Sequence, residues 1–214
     1  VTFQGWPAEA LEFYEGLEAD NSRTFWNDHK EVYETCVAAP MLDLLDRLED
    51  EFGEGRVFRP YRDVRFSADK SPYKTAIGAT LAAGGYIQLS ADGLAVAGGY
   101  HQLAPDQLDR YRQAAADDRT GRQLLRTIGA VEKRGPQVRS TEQLKTAPRG
   151  YPKDHPRVEL LRHKNLYAWQ EWPPESWLGT PAAEQYVVDA LHAIAPLRRW
   201  LDEHVGDSTA PARR

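Results

Sequence analysis

The chain has 214 residues, of which 41% are hydrophobic, 10% aromatic and 28% charged, and it carries a formal net charge of −5. That is enough apolar material for one folded domain with a real core. No stretch is long and apolar enough to cross a bilayer, since the best, residues 77–89, is short and broken by Gly84-Gly85. The single cysteine, Cys36, excludes an intramolecular disulfide or a thiolate metal cluster.

Residues 7–18 read as a first helix, with Pro7 at its first position and Ala8, Leu11, Tyr14 and Leu17 at helical spacing. Asp20, Asn21 and Ser22 offer caps for a second helix, whose buried face is expected to carry Phe25, His29, Val32, Cys36 and Val37. Pro40 is expected to interrupt it and start a third, lined by Met41, Leu44, Leu45, Leu48 and Phe52 and ended by Gly53.

The period then changes. Residues 57–66 alternate as a strand would, with Arg62, Val64 and Phe66 on one face and Arg59, Tyr61, Asp63 and Arg65 on the other. Residues 77–81, 86–89 and 94–97 predict three further strands. Gly84-Gly85 and Asp92-Gly93 supply the hairpin turns, and Gly98-Gly99 a bulge or a close backbone approach. Helices return at 105–116 and 121–128. Residues 135–156, rich in Pro, Gly and polar side chains, predict loop, followed by a helical turn at 158–163 and a strand at 165–172. A last helix at 181–204 should kink or divide at Pro196. The fold class is therefore α+β: a central antiparallel meander flanked by N- and C-terminal helices, one domain over residues 1–205 and a flexible tail at 206–214.

Positive charge is concentrated in two segments of this acidic chain. Residues 56–74 hold six basic side chains against two acidic ones, and residues 144–164 do the same. Two basic islands on an acidic body point to a local anion site.

The first island contains Arg62-Asp63-Val64-Arg65-Phe66-Ser67-Ala68-Asp69-Lys70-Ser71-Pro72-Tyr73-Lys74-Thr75. That run resembles the core signature of the family known as domain of unknown function 2461. Asn21 to Lys30 with Tyr33-Glu34 is similar to the family's N-terminal helix. Leu144 to Pro156, running into Glu159 to Lys164, is similar to its C-terminal signature. The resemblance spans nearly the whole chain and implies one α/β domain; it implies no activity and no catalytic residue.

The residues themselves suggest binding of a small phosphate- or carboxylate-bearing ligand. Arg62, Arg65, Arg149 and Arg162 would clamp it, Lys70 and Lys74 would neutralise its charge, and Tyr73 and Tyr151 would wall it. The competing use of these charges is an internal ion-pair network. A hydrolase is the second reading, with His155 as acid or base and Ser67, Ser71 or water as nucleophile. Ser67-Ala68-Asp69-Lys70 and Ser71-Pro72-Tyr73-Lys74 match the Ser-x-x-Lys pattern of penicillin-binding enzymes, without the companion motifs. The third reading is a nucleic-acid or acidic-protein interaction module, with Tyr73, Tyr151, Tyr167 and Trp169 available to stack.

No metal-ligand spacing, Walker loop or dinucleotide fingerprint is present, so no metal or cofactor is expected. There is no basic-then-apolar N-terminal segment, and the expected location is cytoplasmic, with no membrane partner.

Overall fold

The structure, a computed structural model, describes residues 2–65 and 67–209. The chain forms two compact units, Val1–Val96 with Glu171–Asp189, and Ala97–Gln170 with Ala190–Arg214. The fold is α+β, and its six-stranded antiparallel sheet has the order β1-β2-β3-β4-β6-β5. The strands are β1 (Gly55–Val57), β2 (Ala76–Leu81), β3 (Gly85–Ser90), β4 (Gly93–Tyr100), β5 (Gln137–Arg139) and β6 (Leu166–Trp172).

In the first unit, α1 (Ala8–Ala19) buries Ala10, Phe13, Tyr14 and Leu17. The cap at the next helix, α2 (Arg23–Asp28), is Ser22, whose hydroxyl accepts from the Phe25 amide at 3.1 Å. The chain turns at His29 and resumes as α3 (Lys30–Val32), a π-helical stretch (Tyr33–Ala38) and α4 (Ala39–Phe52). Pro40 therefore does not interrupt the helix. Proline lacks an amide hydrogen, and its ring crowds the carbonyl four residues back. The wider π turn just before it relieves that conflict. The buried face carries Trp26, Tyr33 and Val37, while Cys36, expected among the buried residues, is half-buried.

The strand expected over 57–66 is shorter. β1 ends at Val57, and Pro60 cannot donate to a ladder. Beyond it the chain folds back on itself. The Lys74 amide donates to the Pro60 carbonyl at 2.8 Å, the Arg62 amide to the Pro72 carbonyl at 2.9 Å, and Tyr61 bridges Tyr73. The apolar row of Arg62, Val64 and Phe66 is thus not a strand face over its described residues, and Phe66 lies outside them.

β1, β2 and β3 pair antiparallel, with Val57 opposite Ala79, Gly78 opposite Gln88 and Thr80 opposite Tyr86. Ile77, Ala79, Leu81, Ile87 and Leu89 are buried on one face. The alternation leaves Gly78, Thr80, Tyr86 and Gln88 on the other.

In the second unit, α5 (Pro105–Ala116) and α6 (Asp118–Glu132) are joined through Asp117, whose carboxylate accepts from the amides of Arg119 and Thr120 at 3.0 and 2.9 Å. α7 (Val158–Arg162) follows, and Tyr111, Leu124, Leu161, Leu197 and Trp200 are buried within this unit. The loop expected over 135–156 contains β5, which no period announced because only Val138 of its three residues is apolar. Gly99 makes the close approach expected of it: at φ +126° a Cβ there would lie 2.7 Å from the Leu166 carbonyl oxygen. α8 (Ala182–His204) runs on through Pro196 undivided. Of the C-terminal tail, the Thr209 amide donates to Asp106 at 2.9 Å and Arg110 to the Asp207 carbonyl at 2.7 Å, whereas 210–214 lie outside the described residues.

Candidate functional site

The outer face of β2 and β3 opens into a pocket of about 510 Å³, lined by Phe58, Arg62, Tyr73, Lys74, Thr75, Ala76, Gly78, Tyr86 and Gln88. Register explains the assembly. The Phe58 amide donates to the Gly78 carbonyl at 2.9 Å, and Gly78 faces Gln88 across the ladder. A Cβ at Gly78 would meet the Tyr86 hydroxyl at 2.6 Å, so the missing side chain is what lets Tyr86 lie across the sheet.

Lys74 enters this pocket because the segment bearing it is clamped. Asn21 donates from its amide to the Tyr73 carbonyl and accepts the Tyr73 amide, both at 3.1 Å. The Tyr73 ring, only 5% exposed, stacks on Trp26 at 4.3 Å and 6°. Tyr73 is therefore fixed from two sides, and the next residue is aimed by it.

The Lys74 Nζ lies 5.3 Å from the Phe58 ring centroid. Partial burial, then the nearby Arg59 guanidinium, pulls its pKa below the ordinary 10.5 of lysine. Among the described residues neither Lys74 nor Arg59 is in a salt bridge. Arg62 is paired through one nitrogen with Asp69.

The rest of the loop is held by its own charges. Asp63 takes the Arg65 guanidinium at 2.9 and 2.7 Å, and these bonds hold its pKa down at about 2. The Asp69 carboxylate accepts the Ser71 hydroxyl and amide as well as Arg62, and falls well below the carboxylate range. Lys70 donates to the Val64 carbonyl at 2.9 Å. Arg65 and Lys70 thus shape the loop, while Arg62, Tyr73 and Lys74 line the pocket.

The other expected site residues, Arg149, Tyr151, His155 and Arg162, belong to the second unit. Arg149 is exposed and Tyr151 half-buried, with burial raising the Tyr151 pKa. Arg162 donates to the Leu144 carbonyl at 2.7 Å and to both Glu159 oxygens at 2.9 Å. Arg157, 6% exposed, donates to the carbonyls of Ala115 and Ala116 at 2.7 and 2.6 Å and to Asp118 at 3.0 Å, closing the C-terminus of α5. The Nδ1 of His155 accepts the Arg157 amide at 3.1 Å, leaving Nε2 to carry the proton of the neutral ring. No hydroxyl side chain hydrogen-bonds His155 among the described residues.

Phe58, Thr75, Gly78, Tyr86 and Gln88 were not anticipated as site residues. The available signal was the alternation of β3, which puts Tyr86 and Gln88 on one face as the polar partners of Gly78. Among the described residues no group of three or more His, Cys, Asp or Glu could hold a metal ion, and no helix is long and apolar enough to cross a membrane.

These features define an α+β protein with a pocket edged by cationic side chains on the outer face of its sheet. Residues 9–200 match the family described as a conserved hypothetical protein (DUF2461), and the chain belongs to that family. No curated protein and no solved structure matches it.

Proposed function

We propose that the protein binds a small phosphate- or carboxylate-bearing anion in the pocket of Arg62 and Lys74. One observation carries the reading: Lys74 stands half-buried and close to Arg59, with no carboxylate on either cation among the described residues. Desolvating an ammonium beside a like charge is unfavourable unless a counter-charge arrives. An anion against Lys74 supplies it. The nitrogens of Arg62 not engaged by Asp69, the Thr75 hydroxyl and the Gln88 amide add donors around the same space.

The test is thermal denaturation in the presence of inorganic phosphate or succinate. A bound anion raises the melting temperature, and the rise grows with the logarithm of anion concentration above its Kd. The rise is expected in the native protein and in Lys74→Arg, and is expected to vanish in Lys74→Met. No rise with either anion, or an equal rise in Lys74→Met, overturns the reading.

A further inference from the structure

We propose that the anion this pocket takes carries a heteroaromatic ring beside its charge, as a nucleotide does; the inference rests on the anion reading above. The pocket, at about 510 Å³, falls within the ~300–1,000 Å³ of sites that enclose small organic ligands. A lone phosphate leaves most of it to water.

What it leaves wet is aromatic. Phe58 is 39% exposed although it follows directly on a strand, and its ring and that of Tyr86 both line the pocket, with centroids 6.3 Å apart and planes inclined at 33°. An exposed phenylalanine at the mouth of a cavity offers a stacking face at little entropic cost. The charge is adjacent to that face, since the Lys74 ammonium is 5.3 Å from the Phe58 centroid. A ligand stacked on Phe58 therefore needs its anionic group only a few bonds from the ring.

Gln88 makes the ring heteroaromatic rather than plainly apolar. Its carbonyl oxygen accepts the Tyr86 hydroxyl at 2.8 Å, which orients the amide so that its NH₂ is left over, with no partner among the described residues. Two donors at the wall of an aromatic pocket match ring nitrogens or exocyclic oxygens. Gly78, opposite Gln88, leaves room for the Tyr86 ring to lie across the sheet and reach the Gln88 amide.

The test is calorimetric titration of the full chain with inorganic phosphate, ribose 5-phosphate and adenosine 5′-monophosphate. The nucleotide is expected to bind at least about fivefold more tightly than the sugar phosphate, the smaller end of what stacking one base contributes. Phe58→Ala is expected to remove that difference, so that nucleotide and ribose 5-phosphate bind the variant with equal affinity. Because Phe58 is exposed, its loss spares the core, and an unchanged circular dichroism spectrum checks this. Equal affinity for nucleotide and sugar phosphate overturns the ring inference and leaves the anion reading standing; no binding of any of the three overturns both. A 5′-phosphorylated pentanucleotide separates the two sources of this chemistry. Tighter binding than the mononucleotide assigns the pocket to a single-strand end, and equal or weaker binding to a free nucleotide.

Discussion

The two basic segments have the same charge count, six cations against two acids each, and the fold uses them differently. In residues 144–164, Arg157 and Arg162 turn to backbone carbonyls. Arg157 in particular closes the C-terminus of a helix from a position only 6% exposed. In residues 56–74, the ion pairs Arg62–Asp69 and Asp63–Arg65 brace an exposed loop, and Lys74 is aimed into a pocket with no carboxylate on it among the described residues. A guanidinium spent on carbonyls is architecture. A half-buried cation without a counter-charge is chemical capacity.

The sharpest way to break this contrast is to remove Arg157. Arg157→Met is expected to lower stability by about 2–4 kcal/mol in urea unfolding, because the Ala115 and Ala116 carbonyls lose their donors in a buried site. A loss too small to measure would make Arg157 as dispensable as a surface charge. Asn21→Ala tests the clamp behind the pocket and is expected to cost about 1–2 kcal/mol, since two hydrogen bonds to the Tyr73 backbone disappear together. It should also weaken anion binding without touching a pocket residue.

The pH dependence of binding sharpens the comparison. The Lys74 pKa is depressed below 10.5, first by burial and then by Arg59. Unfolding lets Lys74 rebind its proton more readily, so stability rises with pH through the interval between the folded and unfolded values. Anion affinity runs the other way. It is full below the folded pKa of Lys74 and lost as the pH rises through it, and Lys74→Arg should flatten that fall.

The smallest effect belongs to the exposed pair. Asp63 titrates at about 2 in the folded protein, against an ordinary 3.8, chiefly through its hydrogen bonds to Arg65. Its stabilising contribution is therefore present above 3.8 and lost as the pH falls through about 2. In Arg65→Ala an NMR titration of the Asp63 carboxyl should return towards 3.8, while the urea midpoint barely moves, as screening of surface pairs requires.

The residues by themselves determined the α+β class, the meander and most of the helices, because helical and alternating periods are local. Ser22 as a cap and Gly99 as a close approach were legible for the same reason. Pro40 and residues 57–66 depart from what their local pattern implies. A π turn and a chain reversal both satisfy backbone groups through partners that a local period does not encode. The charge islands were visible as charge, but not as use. Whether an arginine meets a carbonyl, a carboxylate on its own loop or open space depends on which distant backbone the fold brings to it. The pocket, too, is a tertiary object: it exists because Gly78 on β2, Gln88 on β3 and Phe58, just past the end of β1, come into register and because Asn21, 52 residues from Tyr73, fixes the segment that carries Lys74.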